Sequence, residues 1–244
     1  MNAVPGRHLA QLSWTDLEKD DQPRLLIVPI GSTEQHGPHL PFTVDTDIAV
    51  ALASAVSVGR REVVVAPPVT YGSSGEHQHF PGTLSIGGPA LVLLLVELGR
   101  SATGDFDRVL FLNGHGGNVE PLHRAASILR SEGRDVRAWS SMFPGDAHAG
   151  ETETSLMLYL SPDRVLTDRF EAGTTDSLAE LMPQLRSTGL RSISRTGTLG
   201  DPTGATGERG KELFNAAATL LADVLDNWAT ASMHGEGQDS TWAR

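Results

Sequence analysis

Six of the nine histidines in this 244-residue chain, His36, His39, His77, His79, His115 and His148, fall in four short polar clusters. Carboxylates accompany them: Glu34, Asp45, Asp47, Glu76, Asp146, Glu151 and Glu153. Neutral imidazole beside carboxylate is the ligand set of zinc, manganese or ferrous iron where no thiolate is at hand. The chain has no cysteine, which excludes a thiol nucleophile, a disulfide scaffold, an iron–sulfur cluster and a thiolate metal site. A single histidine-rich loop would say little. Four in one chain point to a divalent-metal site, with a solvated polar rim as the plain alternative.

Each cluster directly follows a candidate strand. Residues 31–39, running on to Asp45 and Asp47, follow the apolar run 25–30 (LLIVPI). Residues 71–83 (YGSSGEHQHFPGT) follow 63–66, residues 113–118 (NGHGGN) follow 109–112, and residues 146–155 (DAHAGETETS) follow a weaker candidate at 137–140. The runs show no polar alternation, so they read as strands buried on both faces. Helical spacing separates them: Ile48, Leu52, Ala55 and Val56 behind Asp45 and Asp47, and Leu122, Ala125, Ala126 and Leu129 behind Pro121. A long last helix is predicted from about 206 to 228, with Leu213, Ala217, Leu220, Val224 and Trp228 on one stripe. Strand–helix alternation implies parallel strands in a layered α/β fold. In such sheets ligands bind beyond the carboxyl ends of the strands, so the four clusters should form one site. Residues 1–229 read as one domain, and residues 230–244 as a disordered C-terminal tail.

The glycines around His115 let the backbone turn sharply without a neighbouring side chain intruding. A phosphate cradle is the rival reading, but the loop holds no cation and matches neither the P-loop nor the dinucleotide fingerprint. The same lack disfavours a non-catalytic Rossmann-like binding subunit. Neither G-x-S-x-G nor S-x-x-K occurs, so a serine nucleophile lacks its motif, and Ser32 reads as a turn or capping residue. Nineteen basic against 30 acidic residues give a net charge of −11, which argues against nucleic acid or an anionic membrane as partner. The longest strictly apolar run, residues 90–96, is far shorter than the ~20 residues of a membrane span, and a cytoplasmic protein is expected.

Residues 31–41 (GSTEQHGPHLP), followed by Asp45, resemble the first signature of the creatininase (creatinine amidohydrolase) family. Residues 79–83, 113–118, 148–155 and 200–203 are similar to further family blocks in the same order, so the resemblance spans about residues 20 to 228. It implies a three-layer α/β/α sandwich with a mostly parallel central sheet. It also implies two divalent metal ions per subunit (zinc, iron or manganese), hydrolysis of an amide-type C–N bond by a metal-bridging hydroxide, and a homo-oligomer, a hexamer or similar ring. Residue by residue, Glu34, His36, Asp45 and His115 match the family's metal ligands, with Asp45 bridging. His148 matches the position that moves a proton from the nucleophile to the leaving nitrogen; a hydrogen bond that merely holds its loop is the alternative.

One departure is informative. Gly117 stands where creatininase has a carboxylate ligand. Glu151 is the expected replacement and Glu153 the competing one, with a supporting or helix-start role favoured for Glu153. Gly116 replaces an aromatic residue, and residues 143–146 lack the family's pocket tryptophans, which turns the expectation away from creatinine. Residues 75–83, 148–155 and 200–206 are most similar to family members that trim a ribosomally made, modified precursor peptide, releasing a C-terminal Val-Tyr-derived dipeptide. The substrate expected is thus a peptide or small amide. Asn113 and Asn118 are expected to fix their turn through bonds to backbone. Ser74, Glu76, His77 and His79 read as substrate contacts or structural residues, His39 as the partner of a carboxylate, and Asp47 as a helix cap.

Overall fold

The computed structural model describes residues 5–19, 24–141 and 143–233. Five parallel strands, β1 (Arg7–His8), β2 (Leu25–Ile30), β3 (Val63–Val65), β4 (Arg108–Asn113) and β5 (Val136–Ser140), pair in the order β1-β3-β2-β4-β5. Every residue of β2, β3 and β4 is buried, as unalternating apolar runs require.

Helices cover both faces. On one, α2 (Val44–Ser57), α5 (Glu151–Leu160) and α7 (Gly207–Met233) pack against Leu25, Ile27, Leu110 and Leu112. On the other, α3 (Gly88–Ala102) and α4 (Val119–Ser131) pack against Leu26, Val28, Ile30, Val109 and Phe111. The result is an α/β/α sandwich. The short α1 (Trp14–Glu18) packs Leu17 against the α3/α4 side of the core; Leu181 and Leu185 of α6 (Leu178–Thr188) form a small separate cluster with Phe80, Leu190 and Leu199.

The register places the site. Ile30 pairs with Asn113, and Asn113 with Ser140, so β2, β4 and β5 end level and their loops emerge side by side. From β2 the chain crosses to β3 on one side, while β4 lies on the other. The gap between β2 and β4 is therefore the point where strand order reverses, the usual crevice for ligands in open α/β sheets.

Some elements differ from the sequence reading. Ala55 is exposed, and Ala49 and Ala53 take the buried side of α2. On α7 the buried stripe is Leu213, Phe214, Ala217, Leu221, Leu225 and Trp228, and Leu220 is 60 % exposed. α5 begins at Glu151, inside the polar cluster expected to be loop. The expected tail begins within α7, which runs on to Met233; residues 234–244 lie outside the described residues. No described helix is long and apolar enough to cross a membrane.

Candidate metal centre

The loop after β2 carries Glu34 and His36, the first turn of α2 carries Asp45, and the loop after β4 carries His115. A glycine makes the last approach possible. A Cβ on Gly114 would lie 2.3 Å from the Asp45 carbonyl oxygen, so only glycine lets this loop pass against α2 and deliver His115 beside Asp45.

The Asp45 carboxylate spans two imidazoles. Oδ1 lies 3.1 Å from His36 Nε2, and Oδ2 lies 3.1 Å from His115 Nδ1. Ser32 Oγ donates to Oδ2 at 2.7 Å. Glu34 Oε1 faces three nitrogens, the same His115 Nδ1 at 3.2 Å, His77 Nε2 at 3.5 Å and His148 Nδ1 at 3.9 Å. Glu153 Oε2 stands 3.8 Å from His36 Nε2 and 3.9 Å from His148 Nδ1. Three sets follow, each with ligand atoms within 4.8 Å of one another: Glu34, Asp45 and His115; His36, His148 and Glu153; and Glu34, His77 and His148.

Two observations show that these residues fit divalent cations. Glu34 is 0 % exposed, yet neither carboxylate oxygen accepts an aligned hydrogen bond among the described residues. An ionised carboxylate buried in that condition costs several kcal/mol unless a cation compensates it. Second, His36 Nδ1–H donates to the Glu34 backbone carbonyl and His115 Nε2–H to that of Ser73, both at 3.1 Å. Each ring thus turns its other nitrogen toward the carboxylates, where it can ligate once its proton is lost, the usual arrangement behind metal-binding histidines.

The charges are strongly coupled. Burial alone would raise Glu34, but His115 and His77 outweigh it and hold its carboxyl at about 2. Asp45 is likewise lowered, against burial, by His36 and His115. Burial opposes charge on His36 as well, yet Asp45 and Glu153 raise it to about 10; His115 rises well above 6.5, against its burial, through Glu34 and Asp45. His148 moves the other way, lowered by burial and by the neighbouring His36 and His77. Burial raises Glu153 to about 7.

Other expected residues fall into distinct places. Glu151 is exposed, and its backbone N–H donates to Asp146, so Asp146 caps α5. It is Glu153 that enters the cluster, because two helical positions differ by about 200° around the axis and because Glu153 folds back to accept the Ala149 N–H at 2.6 Å. Asn113 brackets His115, accepting its N–H at 3.1 Å and donating to its carbonyl at 2.8 Å. Asn118 ties the loop after β3 to that after β2, accepting from Ser73 N and donating to the Gly31 carbonyl, both at 2.9 Å. Ser74 Oγ lies 3.5 Å from His115 Nε2, and Glu76 Oε1 lies 3.8 Å from His77 Nε2. His79 is exposed, and the nearest heavy atoms to a Cβ on Gly189 include its ring; it stands apart from the cluster. His39 bonds Thr154 at 2.8 Å rather than a carboxylate. Asp47 accepts from Thr43 Oγ1 and Arg164 Nη1, which ties α2 to a later loop rather than capping its own N–H groups. His77 and Gln35 enter the cluster with no spacing rule to announce them; the only signal was their place in loops that follow β3 and β2.

A cavity of about 740 Å³ borders the cluster at Glu153, and its wall includes Gly114, Gly116, Phe143, Thr175 and Leu178.

The fold is shared with known proteins. A family model described as creatinine amidohydrolase matches residues 10–225. The chain is 50 % identical over 239 residues to the mycofactocin precursor peptide peptidase of Mycolicibacterium smegmatis, covering 93 % of this chain and 96 % of that protein. It superposes on a manganese creatininase with a TM-score of 0.75 at 26 % identity, covering 91 % of this chain and 98 % of the other. A creatininase variant of Zn-Zn type gives the same TM-score, identity and coverage.

Proposed function

The chain belongs to the creatininase family, and from that premise we propose that it is a metal-dependent peptidase acting on a modified mycofactocin precursor peptide, hydrolysing one amide C–N bond to release a C-terminal dipeptide. The observation that carries this reading is Glu34, a fully buried carboxylate with no aligned donor, ringed by imidazoles from three other loops.

In this reading Glu34, Asp45 and His115 hold one divalent cation, and His36, Asp45 and Glu153 a second, with zinc, manganese or iron as the ion. Glu153 thus supplies what Gly117 cannot, and Glu151 is left outside. Cations so held would supply Lewis acidity, lowering the pKa of a water and polarising the scissile carbonyl. The protein groups do the rest. His148 is neutral at pH 7 and takes the proton of the attacking water at Nδ1 as the C–O bond forms. It gives that proton to the amide nitrogen as the C–N bond breaks, so the amine leaves uncharged. Ser32 holds Asp45 between its two imidazoles, and Asn113 and Asn118 fix the loops that present His115.

The cavity supports a peptide substrate, since its volume lies at the upper part of the ~300–1,000 Å³ range of ligand pockets and exceeds what a small cyclic amide fills. A homo-oligomeric ring completes the proposal; Leu84, Ile86, Leu93 and Leu94 expose apolar surface on and beside α3.

The test is to incubate the manganese- or zinc-loaded chain with the modified precursor peptide, creatinine and a formamide, and to read products by mass. The peptide should lose a C-terminal dipeptide while the small amides persist. Turnover of a small amide with the peptide untouched would overturn the assignment.

A further inference from the structure

Gln35 lies between two cluster residues in sequence and is 6 % exposed. Its side-chain amide has a single workable orientation. Oε1 accepts the Gly37 N–H at 2.9 Å, and Nε2 donates to the Gly197 carbonyl at 3.1 Å. Exchanging the two atoms would set donor against donor at Gly37 and acceptor against acceptor at Gly197.

The remaining Nε2 hydrogen points at His77 Nδ1, 3.0 Å away. That nitrogen must therefore carry the lone pair, and the neutral ring carries its proton on Nε2. His77 Nε2–H is then on the side of Glu34 Oε1, 3.5 Å away, and Glu76 Oε1, 3.8 Å away, without an aligned hydrogen bond to Glu34. His148 is fixed by the same residue in the reverse sense. Its Nε2 lies 2.9 Å from the Gln35 backbone carbonyl, a pure acceptor, so Nε2 bears the proton. Its Nδ1 lone pair faces Glu34 and Glu153, each at 3.9 Å. The 3.1 Å separation between Gln35 Nε2 and His148 Nε2 joins two donors and holds no bond.

We propose that Gln35 is a positioning residue that holds His77 and His148 in the same Nε2–H tautomer but opposite orientations, so that His77 offers an N–H and His148 a lone pair to one space beside Glu34. The ring centroids are 4.5 Å apart, close enough for both to serve one bound group. Amide hydrolysis needs both kinds of partner, an acceptor for the proton of water and a donor toward oxygen or nitrogen. The use of the pair in catalysis rests on the proposed role of His148; the tautomers do not.

The test reads the tautomers directly. In the zinc-loaded full-length chain labelled with ¹⁵N-histidine, His77 and His148 should both be protonated at Nε2 and bare at Nδ1. Gln35→Glu, whose carboxylate can only accept, should move the His77 proton to Nδ1 and leave His148 unchanged, because His148 bonds the backbone. The same variant should lose kcat by about 10–100-fold, the usual effect of removing such a partner, with KM held. A wild-type His77 protonated at Nδ1, or one indifferent to Gln35→Glu, overturns the proposal, and the wild-type spectrum decides even if the variant fails to fold. Tautomers as stated in a protein that cleaves no peptide would sink the peptidase reading and leave the role of Gln35 standing.

Discussion

Ser32 donates its hydroxyl to Asp45 Oδ2 across 2.7 Å, and both residues are buried. This bond fixes which way the carboxylate faces while its other oxygen meets His36. Ser32→Ala should therefore weaken metal binding by about 10–100-fold while costing only about 1 kcal/mol of folding stability. Metal titration and denaturant unfolding of the same preparation separate the two effects. A variant that binds metal normally would remove Ser32 from the site.

Glu153 and Glu151 differ in which side of α5 they occupy. Glu153→Gln should leave about one ion per chain by elemental analysis and abolish turnover, whereas Glu151→Gln should keep both ions and its activity. The reverse pattern would return the second ion to Glu151.

This choice marks the limit of what the residue pattern discloses. Runs such as Leu25–Ile30 announce buried parallel strands because nothing polar interrupts them, and the clusters behind them therefore had to converge. The phase of a helix start is not so written. Residues 151–155 are all polar, and Thr152, Thr154 and Ser155 are buried through tertiary contacts rather than through any apolar period. Without that period neither the start of α5 nor the direction of its two glutamates can be read. On α7, two apolar stripes about 100° apart fit the sequence almost equally, and packing against the sheet buries Leu221 and Leu225, leaves Val224 half-buried and turns Leu220 out. His77 and Gln35 were hidden for another reason: their place depends on loops meeting across the top of the sheet, which no local spacing encodes.

Cation binding must displace protons. With His36 at about 10 and His115 well above 6.5, both rings hold a proton more tightly than a free imidazole among protein groups alone, and each must lose its proton to ligate. Calorimetry in two buffers of different ionisation enthalpy should report about two protons released per chain on metal binding. The sign for the metal-free protein follows: a pKa raised on folding from 6.5 to about 10 stabilises it fully below pH 6.5, and this contribution fades as pH rises through 10. Metal affinity should climb across that same window. Uptake without proton release would contradict the placement of these two histidines.

Gly117 leaves no room for a side chain. A Cβ there would sit 2.2 Å from the Ser73 carbonyl oxygen and 2.5 Å from His115 Nε2, the two atoms that set the aim of His115. Gly117→Ala should cost about 1–3 kcal/mol through overpacking and lose the ion held by Glu34 and His115, read by thermal melts and metal content. Gly116→Ala, with open space around its Cβ position, is the matched control and should behave as wild type.

Ala149 is the one non-glycine residue with positive φ, +52°, among the described residues. It follows His148 directly, and its N–H is held by Glu153. A left-handed alanine costs roughly 1–2 kcal/mol, and the carboxylate that offsets this cost is the one a cation would also claim. Filling the cluster and steering the imidazole would in this way be geared to each other: an ion that tugged on Glu153 would tug on the pivot of His148. The protein would then count its cations through the angle of one ring.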